Sequence, residues 1–449
     1  MRTGFANDMR RAWAVQTSYR NIMKGSVSEL PTQSFFYRLG QVEARSMHGQ
    51  LPVVWSRAKD YSVWDAAGNQ YLDFTSGIFA ANLGHSDDAL LGSLRAALEA
   101  GLLHCYTYGT RLRLEYLEAL TEWSGFEKAY LVSSGTEATE TALRLMRLHG
   151  EKVGKARRAV VCIDGSFHGR TLGAALMGGS GREEARANGI YHIAPPALHA
   201  PDSVNHFFTV SLGALWDQEC DPERDVCGFL IETYQGWNAR FYQPAFVQAI
   251  EKFCRDHGIL LAFDEVQAGF GRTGRKFGYL HYGVRPDLIC VGKGMGGGFP
   301  LAGVLGSAAI LDLPAPGDMS STHGANPLAC AAGLAVIEEI ERRNLVGEAE
   351  RKGRLLAKEL EKIVTSFPRR IAYASAQGLV AALVFQGDES SEFATRVAHE
   401  CLRRGLLIVH TGRESVKLGP PLSIPDDALA EGTYVLTEAI ASASNAEQG

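Results

Sequence analysis

A lysine and an aspartate, each at the end of a short apolar run, are the residues of this chain best placed to do chemistry. The runs are Ile259–Phe263 and Asp287–Val291, inside ILLAFDEVQAGFGRTGRKFGYLHYGVRPDLICVGKGMGGGFPLAG. Each has the length of a buried strand. Asp264 follows the first, and Lys293 follows the second after Gly292. In an open α/β sheet, ligands bind beyond the carboxyl ends of the strands, so both side chains project into one crevice. A lysine beside a glycine-rich loop, facing an aspartate from a neighbouring strand, suits pyridoxal 5'-phosphate. The amine can condense with the cofactor aldehyde, and the carboxylate can keep the pyridine nitrogen protonated. Taken singly, the two residues would read as a helix cap and a surface charge.

The segments DEVQAGFGRTG, VGKGMGGGFPLAG and STHGANPLACAAG resemble the class III aminotransferases, the pyridoxal-phosphate family of ornithine, acetylornithine and 4-aminobutyrate aminotransferases. The resemblance runs from about Leu72 into the C-terminal region, with the motifs in family order. It implies an α/β, fold-type I architecture: a large domain with a mostly parallel seven-stranded sheet and a small α+β terminal domain. The expected divisions are an N-terminal segment over 1–101, a cofactor-binding domain over 102–328 and a C-terminal domain over 329–449.

The elements that position the site read as follows. A strand at Ala129–Val132 leads to SGTEATETALRLMRLHG, a helix start with small hydroxylated residues and an early Glu137. Free N–H groups there bind anions, so Ser134, Gly135 and Thr136 can cradle a phosphate; a plain helix cap is the alternative. A strand at Ala159–Ile163 ends in DGSFHGRT. The resemblance places Phe167 as the ring stacked on the pyridine, with His168 either touching the cofactor or bonding locally. A strand at Gly228–Ile231 leads to Glu232, which the resemblance makes the hydrogen-bond partner of Asp264. Phe246–His257 is an amphipathic helix closed by Gly258, completing a β-α-β alternation. Within DEVQ, the resemblance puts Val266 on the ring face opposite Phe167 and Gln267 at the ring hydroxyl. Thr322 in SSTHGANPLA matches a second phosphate ligand given by the neighbouring subunit, which implies a homodimer. Ile78, in FTSGIFAANLGH, lies in a segment that resembles the substrate side of the pocket. Further on come a long helix from Asn326-Pro327 broken near Arg343–Gly347, a strand at Leu379–Phe385, a helix at Glu392–Arg404, strands at Leu406–His410 and Ser415–Leu418, and a last helix after Pro425.

Two positions depart from the family pattern together. Where familiar members carry a glutamate that pairs with a C-terminal arginine gripping a substrate α-carboxylate, this chain has Trp237 and Lys417. Tryptophan removes a charge and adds an aromatic wall. Lysine keeps the charge and loses the bidentate fork. Glutamate then remains a donor if Lys417 or nearby Arg413 holds it, and the acceptor reads as a bulky carbonyl compound, such as an oxidised amino sugar. The alternatives are a 4-aminobutyrate- or ornithine-like ω-aminotransferase with the lysine doing the arginine's work, or an epimerase or decarboxylase on the same scaffold.

At 449 residues, 46% hydrophobic and 21% charged, the chain is long enough for a main body with smaller lobes. A net charge of −5 gives no sign of nucleic-acid binding or of a polybasic membrane anchor, and no apolar run reaches the roughly 18 residues of a membrane span. The eight cysteines are scattered without a metal-site spacing, which points to a reducing cytoplasm and no metal. MRTGFANDMRRAWAVQ is Arg-rich, as a weak transit peptide would be, and reads rather as an amphipathic helix lying on the body or on a partner subunit.

Overall fold

The computed structural model describes residues 22, 29–47, 51–196 and 203–445; the expected N-terminal amphipathic helix lies outside them. Its centre is a seven-stranded sheet in the spatial order Lys128–Val132, Ala302–Gly306, Leu288–Val291, Leu260–Asp264, Val226–Glu232, Ala159–Ile163, Ile190–Ile193. Ala302–Gly306 runs antiparallel to both neighbours and the other pairings in register are parallel.

The central strands are continuous apolar runs because both faces are covered. Alternate residues go to opposite sides. Val161, Ile163, Phe229, Ile231, Leu261 and Phe263 join the core beneath the helix Pro244–Asp256 through Phe246, Ile250 and Phe253. Val160, Cys162, Leu230, Leu260 and Ala262 pack on the other side with Ala138, Ala142 and Met146 of the helix Gly135–Lys152. That helix sits close on the sheet at Gly228, where a Cβ would come 2.1 Å from Met146 Sδ.

Three further units frame this body. Trp55–Lys59, Ser62–Asp65 and Gln70–Asp73 form an antiparallel meander, to which the late strand Leu406–Leu407 adds in parallel. Ile371–Gln377, Val380–Phe385, Ser415–Leu418 and Val409–His410 form a four-stranded sheet, all of whose pairings are antiparallel. The helix Pro327–Arg342 packs on Asp88–Glu99 and Arg111–Ser124. Buried Arg272 joins the main body to the C-terminal sheet and to the loop at Asn82: its guanidinium donates to the Leu379 and Pro420 carbonyls at 2.9 and 2.5 Å and to Asn82 Oδ1 at 2.7 Å. Among the described residues no helix is long and apolar enough to cross a membrane.

Candidate active site

Because the strands are parallel, the loops after Val132, Ile163, Glu232, Asp264 and Val291 all leave from one edge of the sheet. Asp264 is level with Glu232 on one neighbour and with Cys290 on the other, two residues before Gly292 and three before Lys293. The carboxylate and the lysine thus come from adjacent strand ends. Asp264 is only 8% exposed, so its charge needs partners. Its Oδ2 accepts from His168 Nδ1 at 2.8 Å and its Oδ1 from the Val266 N–H at 3.0 Å. A carboxylate only accepts, so Nδ1 carries the proton. His168 is itself buried, and among the described residues its Nε2 has no partner.

Here the structure differs from the expectation for Glu232. The orienting bond to Asp264 comes from His168; the Glu232 carboxylate accepts from the Gly236 N–H at 3.1 Å. Burial raises the Glu232 carboxyl to about 7, with His168 pulling it down and Asp264 pushing it up. Lys293 has a left-handed backbone, φ 46°, a strained conformation that persists at functional sites. Burial lowers its pKa below the usual lysine value, while Asp264 and Glu232 act against that shift.

The helix Gly135–Lys152 opens with a capping box in which the Glu137 carboxylate accepts from the Ser134 N–H and hydroxyl, both at 2.8 Å. It also accepts from the Ser133 N–H at 3.2 Å. Among the described residues the N–H groups of Gly135 and Thr136 have no acceptor. The Thr136 hydroxyl lies 2.7 Å from that of Thr171. Gly135 is required at its place, since a Cβ there would sit 2.8 Å from Val266 Cγ1. Phe167 leaves 52% of its surface open.

Lys417, Gln267 and Trp237 are also brought to this crevice, in an arrangement the sequence did not suggest. Lys417 is 2% exposed, and its ammonium donates to Gln267 Oε1 at 2.6 Å and to the Gly236 carbonyl. Burial lowers it to about 7, helped by Lys293 and opposed by Glu232. An ammonium so held is not presented to a substrate carboxylate, which corrects the expectation for this residue. Arg413 is an exposed cation, with its guanidinium 5.3 Å from the Trp237 ring centroid. Ser415 pins that tryptophan by donating to its carbonyl at 2.8 Å.

Ile78 and Thr322 stand apart from this group. Ile78 is exposed in Ser76–Phe79, a turn whose residues all have positive φ, 48° to 65°. Its neighbour Phe79 reaches Lys417, with Nζ 4.6 Å from the ring centroid. Thr322 is exposed before the helix Pro327–Arg342, and its carbonyl lies 2.8 Å from His104 Nε2. Sequence reasoning assigned nothing to Glu265 or Arg272, although both lie in the quoted DEVQAGFGRTG. Glu265 is fully buried, accepting from the Gly278 and Tyr279 N–H groups at 2.8 and 2.7 Å, which folds the loop after Asp264 back on itself.

A family model, aminotransferase class-III, matches residues 44–440. The chain is a class III aminotransferase. It is 32% identical over 398 residues to an acetylornithine aminotransferase of Caldanaerobacter subterraneus subsp. tengcongensis, covering 88% of this chain and 96% of that one. It is 31% identical over 411 residues to a 5-aminovalerate aminotransferase of Pseudomonas aeruginosa, covering 87% and 94%. Among solved structures, the acetylornithine aminotransferase of Elizabethkingia anophelis superposes with a TM-score of 0.79 at 28% identity, covering 92% and 99%. An ornithine aminotransferase of Toxoplasma gondii, described with pyridoxal phosphate in its active site, gives 0.81 at 25% identity, covering 99% of each chain. This class III aminotransferase therefore uses pyridoxal phosphate, and the donor set fits that group. A buried carboxylate suits a pyridinium, an amine of lowered pKa an aldehyde, free helix N–H groups a phosphate, and an open aromatic ring a flat heterocycle.

Proposed function

We propose that this aminotransferase exchanges the amino group of glutamate with a carbonyl at the end of a linear amino-acid chain, of the kind that acetylornithine and 5-aminovalerate yield. The observation that carries the reading is Arg413, exposed over Trp237, the residue after the Gly236 whose carbonyl takes Lys417; a cation there can receive the carboxylate remote from the reacting carbon. The relatives give no support to an oxidised amino sugar as acceptor.

Pyridoxal phosphate, when bound, supplies an aldehyde that takes up the amine and a ring that accepts the electron pair freed at the substrate carbon. The chain does the rest. Gly135 and Thr136 would hold the phosphate through their free N–H groups, while Ser134, whose N–H and hydroxyl go to Glu137, fixes the helix start that presents them; Phe167 and Val266 would flank the ring. Asp264, oriented by His168, holds the proton on the ring nitrogen, and Gln267 donates to the ring oxygen. Lys293, eased toward its neutral form by burial, moves a proton at the amine-bearing carbon. Thr322 serves the phosphate of the partner subunit in a homodimer. The free thiols, Cys105 half-buried and the rest buried, suit a cytoplasmic location.

The test is a half-reaction: cofactor-loaded protein is mixed with glutamate, ornithine, N-acetylornithine or 5-aminovalerate while the cofactor band and the carbonyl product are followed. Conversion by glutamate and by a terminal amine is expected, and Arg413→Ala should raise the donor KM about tenfold with the resting spectrum unchanged. Racemisation or loss of CO2 without amine transfer would sink the proposal.

A further inference from the structure

An amide side chain is ambivalent, because its oxygen and nitrogen ends are nearly the same size and either could face a ligand. Gln267 would be useful to the cofactor only with the nitrogen end outward, where its N–H can stabilise negative charge on the ring oxygen. In this chain the choice is made by Lys417. In its charged form a lysine head has three N–H groups and no acceptor. One goes to the Gly236 carbonyl, which can only accept, and another lies 2.6 Å from Gln267 Oε1. The oxygen end is thereby fixed on the lysine side.

We propose that Lys417 is a positioning residue for the cofactor, holding the Gln267 amide so that its N–H faces the ring oxygen. This rests on the reading of Gln267 as the partner of that oxygen. The platform is rigid: Lys417 lies in Ser415–Leu418, paired on one side with Val380–Phe385 and on the other with Val409–His410. Its head group packs 4.6 Å from the Phe79 ring centroid and 6.0 Å from that of Tyr234. The charges that act on it are Lys293, Glu232 and Arg272. The inference also explains why two departures occur together. With Trp237 in place of a carboxylate, no acid at that position holds the cation, and it is taken up by the amide instead.

The experiment is a pH titration of the bound-cofactor absorbance in the holoenzyme without substrate, on wild type, Lys417→Met, Gln267→Ala and the double variant. Loss of the N–H donation should move the midpoint upward by about one pH unit in each single variant, a tenfold change in proton affinity. The double variant should move no further than Gln267→Ala. Lys417→Arg, which keeps a donor-only head, should return the wild-type midpoint, and it carries the test should the methionine variant not fold. Additive shifts in the double variant, or a full shift in Lys417→Arg, would overturn the proposal, because Lys417 would then act through its own charge or by packing. A shift with Gln267→Ala and none with Lys417→Met overturns it while leaving the Gln267 role intact. No shift with Gln267→Ala removes that role and the proposal together.

Discussion

Replacing His168 with leucine removes the one side-chain donor that Asp264 has among the described residues, at 2.8 Å, and leaves the Val266 N–H at 3.0 Å. A hydrogen bond to a charged group contributes about 1.5–3 kcal/mol. If that energy serves to keep the ring nitrogen protonated, the half-reaction slows about tenfold to hundredfold. Leucine is close in size, and since His168 Nε2 has no partner among the described residues, the change strands none of them on that side. The Thr139 hydroxyl bonds the His168 carbonyl, at 2.7 Å, and is untouched. The assay is stopped-flow mixing of the loaded variant with saturating donor, with the melting temperature as a control for folding. His168→Asn, whose amide N–H can take the place of Nδ1–H, should recover most of the rate. A leucine variant within about threefold of wild type, less than 1 kcal/mol, would refute the assignment of Asp264's orientation to His168.

Other outcomes follow from strain and from buried charge. Ile78 is β-branched yet left-handed, at φ 62° and ψ 55°. Ile78→Gly should raise the unfolding free energy by up to about 1 kcal/mol in urea titrations, the strain relieved exceeding the entropy glycine adds to the unfolded chain. Glu232 has its folded pKa raised to about 7 from 4.5, so it favours the folded state most below pH 4.5 and that contribution is lost as the pH rises to 7. Glu232→Gln should therefore gain stability relative to wild type across that window, by about 3 kcal/mol at most. Equal pH profiles for the two proteins would mean that the carboxyl is not desolvated.

Much of the site was legible because strand ends and helix starts leave local signatures. Asp264 and Lys293 each close an apolar run, and Ser134–Glu137 spells a capping box, so their placement needed no long-range information. The helices Pro327–Arg342 and Leu345–Ser366, broken by Asn344 at φ 48°, were readable for the same reason. What was hidden depends on distant partners. Ala302–Gly306 reads AGVLG, a glycine-bounded run without alternation, and becomes a central strand only because two neighbours need it. Ile371–Gln377 carries small and polar residues and is half-covered, which blurs its period. Lys417 looked like a substrate cation because sequence shows a charge but not its burial. Its partner Gln267 is 150 residues away. His168 was ambiguous in the same way, since a histidine after a strand says nothing of which carboxylate it will meet.

In the proposed reading Lys293 carries the cofactor, in a crevice that holds a second buried lysine of lowered pKa. Borohydride reduction of the loaded protein, followed by digestion and peptide mass mapping, tests it directly. A pyridoxyl-phosphate mass is expected on the peptide containing Lys293, and its loss in Lys293→Ala. The same mass on the peptide containing Lys417, with Lys293 unmodified, would contradict it.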